Sequence, residues 1–148
     1  MISNTDEVEQ RQRVVDVARS WVGTPYHHRA NIKGVGTDCG MILIEVFTEA
    51  GIISHFDPGK YSPDWMLHRD AEVYLSIVER FAAPTVTPGP GDLVLFRFGR
   101  CISHSGIITT GTEIVHAYKD AGGVVLDDIA RNGRLAQRIA GYWSVWGN

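Results

Sequence analysis

The chain has 148 residues, 44% of them hydrophobic and 21% charged, and carries a net charge of −3. That length fits one domain, residues 1–148, with enough apolar material for a core; without a basic stripe, nucleic acid is not an expected partner. Two cysteines, Cys39 and Cys101, and no Cys-x-x-Cys pair argue against a disulfide framework or a zinc finger, the polar N-terminus lacks the apolar centre of a secretory signal, and no apolar run is long enough for a membrane span.

In chain order, Asn4 can cap a helix, with Glu7 completing a capping box. Val8, Val14, Val15, Ala18, Trp21 and Val22 recur at roughly helical spacing, which predicts a first helix over about Thr5 to Trp21, broken by Gly23-Thr24-Pro25. Tyr26 to Asp38 shows no helical or strand period and reads as a loop. Its glycines lack a following Gly-Lys-Ser/Thr, which sets nucleotide binding aside. The composition then switches to Met41, Ile42, Leu43, Ile44, Val46 and Phe47, closing at Ala50-Gly51. This reads as a buried helix with a glycine just past its end, and puts Cys39 in the first turn.

Residues 52–66 read as a loop. A third helix is predicted over about Met66 to Phe81, burying Leu67, Val73, Tyr74, Ile77, Val78 and Phe81. Asp64 and His68 fall at i and i+4, a spacing open to a metal in principle, although a helix-start aspartate and a solvated histidine are the favoured reading. The stretch from Pro84 to Gly91, with three prolines and two glycines, reads as a border between a helical and a strand half. Strands are expected over Leu93 to Phe98, Ser103 to Thr109, Glu113 to Tyr118 and Val124 to Leu126, with turns at Gly99-Arg100 and Thr110 to Glu113, and a last strand over Leu135 to Trp146. Helices followed by an antiparallel sheet define an α+β layout.

Cys39 at a helix start is placed for a lowered pKa, because the helix dipole favours a thiolate there; a small core-filling residue is the competing reading. A thiolate nucleophile needs a base from another element. His104 and His116 lie twelve residues apart on strands flanking a turn, so antiparallel pairing sets them opposite or diagonal, one to face the cysteine and one to orient it. A strand-end or core histidine is the alternative for each. Cys101-x-x-His104 with His116 would also permit a zinc site with a further ligand.

Gly23-Thr24-Pro25-Tyr26, Asp38-Cys39 opening an apolar helix, Pro90 to Phe96, His104-Ser105-Gly106-Ile107 and Ile114-Val115-His116-Ala117 occur in this order. The set resembles the NlpC-type cell-wall peptidases, a papain-like cysteine hydrolase clan, and is most similar to the short phage-tail and prophage branch. The resemblance implies a papain-like fold, N-terminal helices packed on a C-terminal antiparallel sheet, with Cys39 as nucleophile, His104 as base and His116 orienting it. It implies that Tyr26 approaches the nucleophile and helps position substrate or the oxyanion. It associates Asp38 with the substrate's free amine, although Asp38 reads equally as a helix cap. Asp92 is assigned to a structural Pro-Gly-Asp-Leu turn, and the Cys39 N–H to the oxyanion.

The implied activity is hydrolysis of peptidoglycan stem peptides, typically between the γ-carboxyl of D-glutamate and diaminopimelate or lysine, with no cofactor or metal. The implied partners are the stem peptide and phage tail proteins, and tail delivery or lysis would bring a chain without a signal to the wall. Gly40-Met41 follows the cysteine, where the family carries Ser-Gly or a hydrophobic residue and Gly. This departure bears on substrate choice and supports the alternative of an inactive, structural tail-associated protein. Cys101 matches no family position and reads as a buried or partly exposed thiol.

Overall fold

Apolar spacing in the first half and alternation in the second are realised as helices backing a six-stranded sheet, in a computed structural model that describes residues 4–61 and 72–147. Helix α1, Asn4–Ser20, buries Val14, Val15 and Ala18, with Trp21 buried just past its end. Val8 and Val22 do not join this face: they are 66% and 42% exposed. Both are seven residues from Val15 and so share its stripe, but two turns in either direction carries the chain past the edge of the core.

The predicted loop from Tyr26 to Asp38 contains a short antiparallel hairpin, β1 (Asn31–Ile32) with β2 (Gly36–Thr37). Two-residue strands are too short to show a period. Helix α2, Met41–Glu49, buries all six of its apolar residues in the core it shares with α1 and one face of the sheet. It ends as the sequence predicts. Gly51 takes φ +78°, its N–H bonds the Thr48 carbonyl, and the Ile52 N–H bonds the Phe47 carbonyl, a Schellman motif. Helix α3, Val73–Val78, buries Tyr74, Ile77 and Val78. The first part of the predicted third helix, with Asp64, Leu67 and His68, lies outside the described residues.

The sheet comprises β3 (Ala83–Thr85), β4 (Leu93–Phe98), β5 (Cys101–Thr110), β6 (Glu113–Tyr118), β7 (Gly123–Asp128) and β8 (Ile139–Ser144), ordered β3-β8-β4-β5-β6-β7 with every neighbour antiparallel. Two expectations are corrected here. Strand β3 overlaps the start of the stretch read as a proline-rich border; it is an edge strand, where Pro84 sacrifices no needed hydrogen bond. Leu135 belongs to a short helix, α4 (Gly133–Ala136), capped by the Asn132 side chain, and the last strand starts only at Ile139. That strand crosses back to pair with β4 instead of extending the β7 edge.

Alternation along the strands divides the core. Leu93, Leu95, Ile107, Val115 and Ala117 face the helices, whereas Val94, Phe96, Ile108 and Ile114 pack with Leu135 on the other face. The result is an α+β architecture.

The segment carrying Tyr26 is fastened to β7 by backbone. Gly23 N–H bonds the Val124 carbonyl, Val124 N–H bonds the Thr24 carbonyl, and Tyr26 N–H bonds the Gly122 carbonyl. This contact requires a glycine at 123, because a Cβ there would lie 2.3 Å from the Thr24 carbonyl oxygen. Gly123→Ala is therefore expected to cost about 1–3 kcal/mol through forced backbone movement. Urea denaturation measures the loss, and an unchanged midpoint would show that the two segments can separate freely.

Candidate active site

Cys39 sits where the loop enters α2. The regular helix begins at Met41, but the Ile42 N–H already bonds the Asp38 carbonyl, so Cys39 and Gly40 form the turn that leads into it. Asp38 builds this turn. Its Oδ1 accepts the N–H groups of Gly40 (3.1 Å) and Met41 (2.8 Å), the work of a helix cap. Its Oδ2 accepts the Arg29 N–H at 2.7 Å and the Tyr61 hydroxyl at 2.6 Å, with His28 Nδ1 at 3.7 Å. Arg29 is held at φ +62°, rare for a residue with a side chain, while its N–H makes this bond. Both oxygens of a carboxylate that is only 1% exposed are thus engaged within the protein.

The Cys39 sulfur is covered; the residue is 3% exposed and packs in the helix-side core. Its surroundings are not hydrocarbon alone. The Tyr26 hydroxyl donates to Sγ at 3.9 Å, and the thiol donates to the Ser103 carbonyl at 3.6 Å. Behind it, the buried Tyr74 hydroxyl donates to the Cys39 carbonyl and meets Ser105 Oγ, each at 2.6 Å, locking the turn to β5.

The Ser103 carbonyl is available because of a β-bulge. Phe96 pairs with His104 but Arg97 pairs with Ile102, leaving Ser103 as the extra residue. Bulges redirect side chains in this way. This one lets Ile102 join the helix-side core although it is odd-spaced from Ser105 and Ile107.

The two histidines converge as the hairpin spacing predicts. Ile107 opposes Val115, so His104 and His116 are diagonal neighbours, and His104 Nε2 lies 2.8 Å from His116 Nδ1. Phe96, Phe98 and Tyr118 surround the His104 ring, and Tyr118 stacks on His116 at 4.9 Å. Beyond them, His116 Nε2 lies 3.1 Å from Asp127 Oδ2, which also accepts from Asn132 Nδ2 at 3.1 Å. Sequence reasoning passed over Asp127, Tyr61 and Tyr74. Asp127 was detectable as a carboxylate on the strand next to His116, and Tyr74 as the polar-tipped member of an apolar face.

The sulfur reaches the histidine strand only through backbone: Sγ bonds the carbonyl of the residue immediately before His104, neither imidazole is among its hydrogen-bond partners, and the His104 ring packs against Phe96 and Phe98 of the other core cluster. Cys101 is buried, at the start of β5. As for the zinc alternative, no group of three His, Cys, Asp or Glu side chains among the described residues is arranged to hold a metal ion. Asp92 fills the structural role expected of it. Fully buried, it accepts the Gly89 N–H at 2.8 Å and lies 3.0 Å from the Arg11 guanidinium.

The electrostatics overturn one expectation. The helix start was expected to lower the thiol's pKa; instead burial, with the nearby Asp38 charge adding to it, pushes Cys39 up to about 12. Desolvation outweighs one turn of helix dipole. Burial likewise raises the Tyr26 hydroxyl, keeping it a donor toward sulfur. His104 is held well below the usual histidine range by burial and by His116, and His116 is lowered by burial against the opposing pull of Asp127. A buried thiol and a neutral imidazole pair are therefore the resting forms.

These shifts predict a pH dependence of stability. An unfolded chain protonates its histidines near pH ~6.5, whereas the folded one refuses those protons. The contribution is fully present above that pH and is lost as pH falls below it. Thermal melts from about pH 5 to 7 should show the midpoint rising with pH, and His104→Ala should flatten the slope. An equal slope in the variant would place the titration elsewhere.

Helices packed on one face of an antiparallel six-stranded sheet give the chain a papain-like α+β fold. The chain belongs to the NlpC/P60 family, whose model matches residues 23–143. No curated protein matches it. Among solved structures, it is similar to an NLP/P60-family lipoprotein-like protein of Staphylococcus aureus (TM-score 0.64, 18% identity), covering 93% of this chain and 41% of that one. It is similar to the peptidoglycan hydrolase RipB of Mycobacterium tuberculosis (TM-score 0.61, 17% identity), covering 97% of this chain and 67% of that one. It also resembles the NlpC/p60 domain of the peptidoglycan hydrolase SagA (TM-score 0.54, 18% identity), covering 81% of this chain and 90% of that one. The chain thus spans about two fifths of the Staphylococcus aureus protein. Among the described residues, no helix is long and apolar enough to cross a membrane.

Proposed function

We propose that the chain is a cysteine peptidase or amidase that hydrolyses peptide bonds in peptidoglycan stem peptides, most specifically between the γ-carboxyl of D-glutamate and diaminopimelate or a similar residue. The observation that carries this reading is the placement of Cys39 Sγ between the Tyr26 hydroxyl and the carbonyl next to His104, in an NlpC/P60 chain. Cys39 is the nucleophile, His104 the base, and His116 the residue that orients His104. Because the resting thiol is protonated and the imidazole neutral, proton transfer accompanies attack, with no thiolate–imidazolium pair formed beforehand.

In this mechanism Sγ bonds the substrate carbonyl carbon as its proton passes to His104. The oxyanion meets the Cys39 N–H, with the Tyr26 hydroxyl adjacent. His104 returns the proton to the leaving amine, and water, with His104 again as base, cleaves the thioester. Asp38 supports the turn; a role for it in holding the substrate's amine requires access to Oδ2 past Tyr61 and His28. Delivery to the wall by a phage tail belongs to the same proposal and rests on the Gly23 to Cys39 stretch alone.

A second reading, a tail-associated protein that keeps the fold without the activity, is favoured by the covered thiol and by Gly40-Met41. Digestion of purified peptidoglycan, with fragments weighed by mass spectrometry, separates the two. The enzyme yields cleaved stem peptides whose masses identify the bond, and a digest matching the buffer control favours the inactive fold.

A further inference from the structure

We propose that Asp127 is a positioning residue that sets the tautomers of both histidines and so leaves His104 Nδ1 unprotonated, the form that a base requires. The inference rests on the reading of Cys39 and His104 given above. It is carried by a hydrogen-bonded line that no motif encodes, running from Asn132 through Asp127 and His116 to His104.

Two N–H donors and one imidazole nitrogen surround the carboxylate. Asp127 Oδ1 accepts the Asp128 N–H at 2.9 Å, and Oδ2 accepts Asn132 Nδ2 and faces His116 Nε2, both at 3.1 Å. Asn132 is itself fixed: its Oδ1 accepts the Leu135 N–H at the start of α4, and Leu135 is fully buried. The short helix that interrupts the approach to β8 thus anchors the carboxylate. With each oxygen accepting, the His116 Nε2 must carry a proton and donate. A neutral imidazole then has a lone pair on its other nitrogen, so His116 Nδ1 accepts, and the donor across the 2.8 Å contact is His104 Nε2–H. The same rule leaves His104 Nδ1 with the lone pair. The His116 side chain is fully buried, and Phe96, Phe98 and Tyr118 confine the His104 ring, so ring rotation cannot readily undo the assignment.

An amide at position 127 cannot reproduce this pattern. It offers one acceptor oxygen where three donors arrive on two. If its NH2 faces His116, each tautomer reverses and His104 Nδ1 carries the proton, leaving no base. If its oxygen faces His116, the NH2 opposes the Asp128 N–H.

The test is nitrogen-15 NMR of the full chain labelled at histidine, with kinetics on the same samples. In the native protein both His104 and His116 are expected as Nε2–H tautomers. In Asp127→Asn, His104 is expected to shift toward the Nδ1–H form and kcat to fall at least about tenfold with KM little changed; Asp127→Glu should restore part of both. Native His116 protonated on Nδ1, or an Asp127→Asn protein with unchanged tautomers and kcat within about twofold, would overturn the proposal. Should Asp127→Asn fail to fold, the native spectrum alone decides. Tautomers as stated in a protein without hydrolytic activity would support the role of Asp127 in the pair while sinking the hydrolase reading.

Discussion

Asp38→Ala is expected to destabilise the protein by about 3 kcal/mol or more, the largest stability loss of any single change near the site. Four groups donate to this carboxylate: the N–H groups of Arg29, Gly40 and Met41 and the Tyr61 hydroxyl. Loss of a helix cap alone costs about 1 kcal/mol, and each donor left buried without an acceptor adds about 1–3 more, less whatever water can reach. Removing the side chain also releases the Arg29 backbone from its left-handed conformation, so the loop and the first turn of α2 should loosen together. For a chain of this size the midpoint of thermal unfolding should fall by roughly 10 °C. Asp38→Asn should be intermediate. It keeps an acceptor for the Gly40 and Met41 N–H groups but sets an amide donor against the Arg29 N–H. A fall of only a degree or two in the alanine variant would mean that the cap is dispensable.

On the proposed mechanism, His104→Ala should lower kcat by about a thousandfold or more, since a positioned base contributes roughly 10²–10⁴ and acts as a unit with its nucleophile. The high pKa of Cys39 makes the dependence stronger: a thiol held up to about 12 has almost no thiolate at neutral pH without a base to take its proton. The activity that remains in the variant should therefore rise steeply with pH, as hydroxide replaces the missing imidazole. His116→Ala should cost less, because it removes an orienting contact and leaves the base in place. If His116→Ala is the more damaging change, the roles of the two histidines are reversed.

What could be read from the residues depended on how far each signal reached. Helix α2 was fully legible, because six apolar residues at helical spacing and a terminal glycine are local features that the fold preserves. The pairing of His104 with His116 was legible because a tight turn fixes antiparallel register within a dozen residues. The β1–β2 hairpin was too short to show alternation. Strand β3 was hidden by Pro84, which only an edge position tolerates, and edge status depends on β8, nearly sixty residues away. Leu135 reads as the start of a strand that continues through Ile139, Tyr142 and Trp143, but the Asn132 cap makes it helical.

The candidate site was legible as a list of side chains and not as an environment. Dipole reasoning placed Cys39 correctly at a helix entrance and then assigned the wrong direction to its pKa, because burial depends on Tyr26, Tyr74 and β5 closing over it. The bulge that turns the Ser103 carbonyl toward the sulfur is a property of register between two strands. Asp127 was overlooked for the same reason, since its meaning comes from the imidazole it meets across β6.

The most direct test of Cys39 as nucleophile compares the native protein with Cys39→Ala on a soluble stem peptide, with products resolved by chromatography and folding checked by circular dichroism. The native chain is predicted to release cleaved peptide, and the variant to release none while melting within a few degrees of it. A Cys39→Ala protein that cleaves the peptide at the native rate would contradict the account.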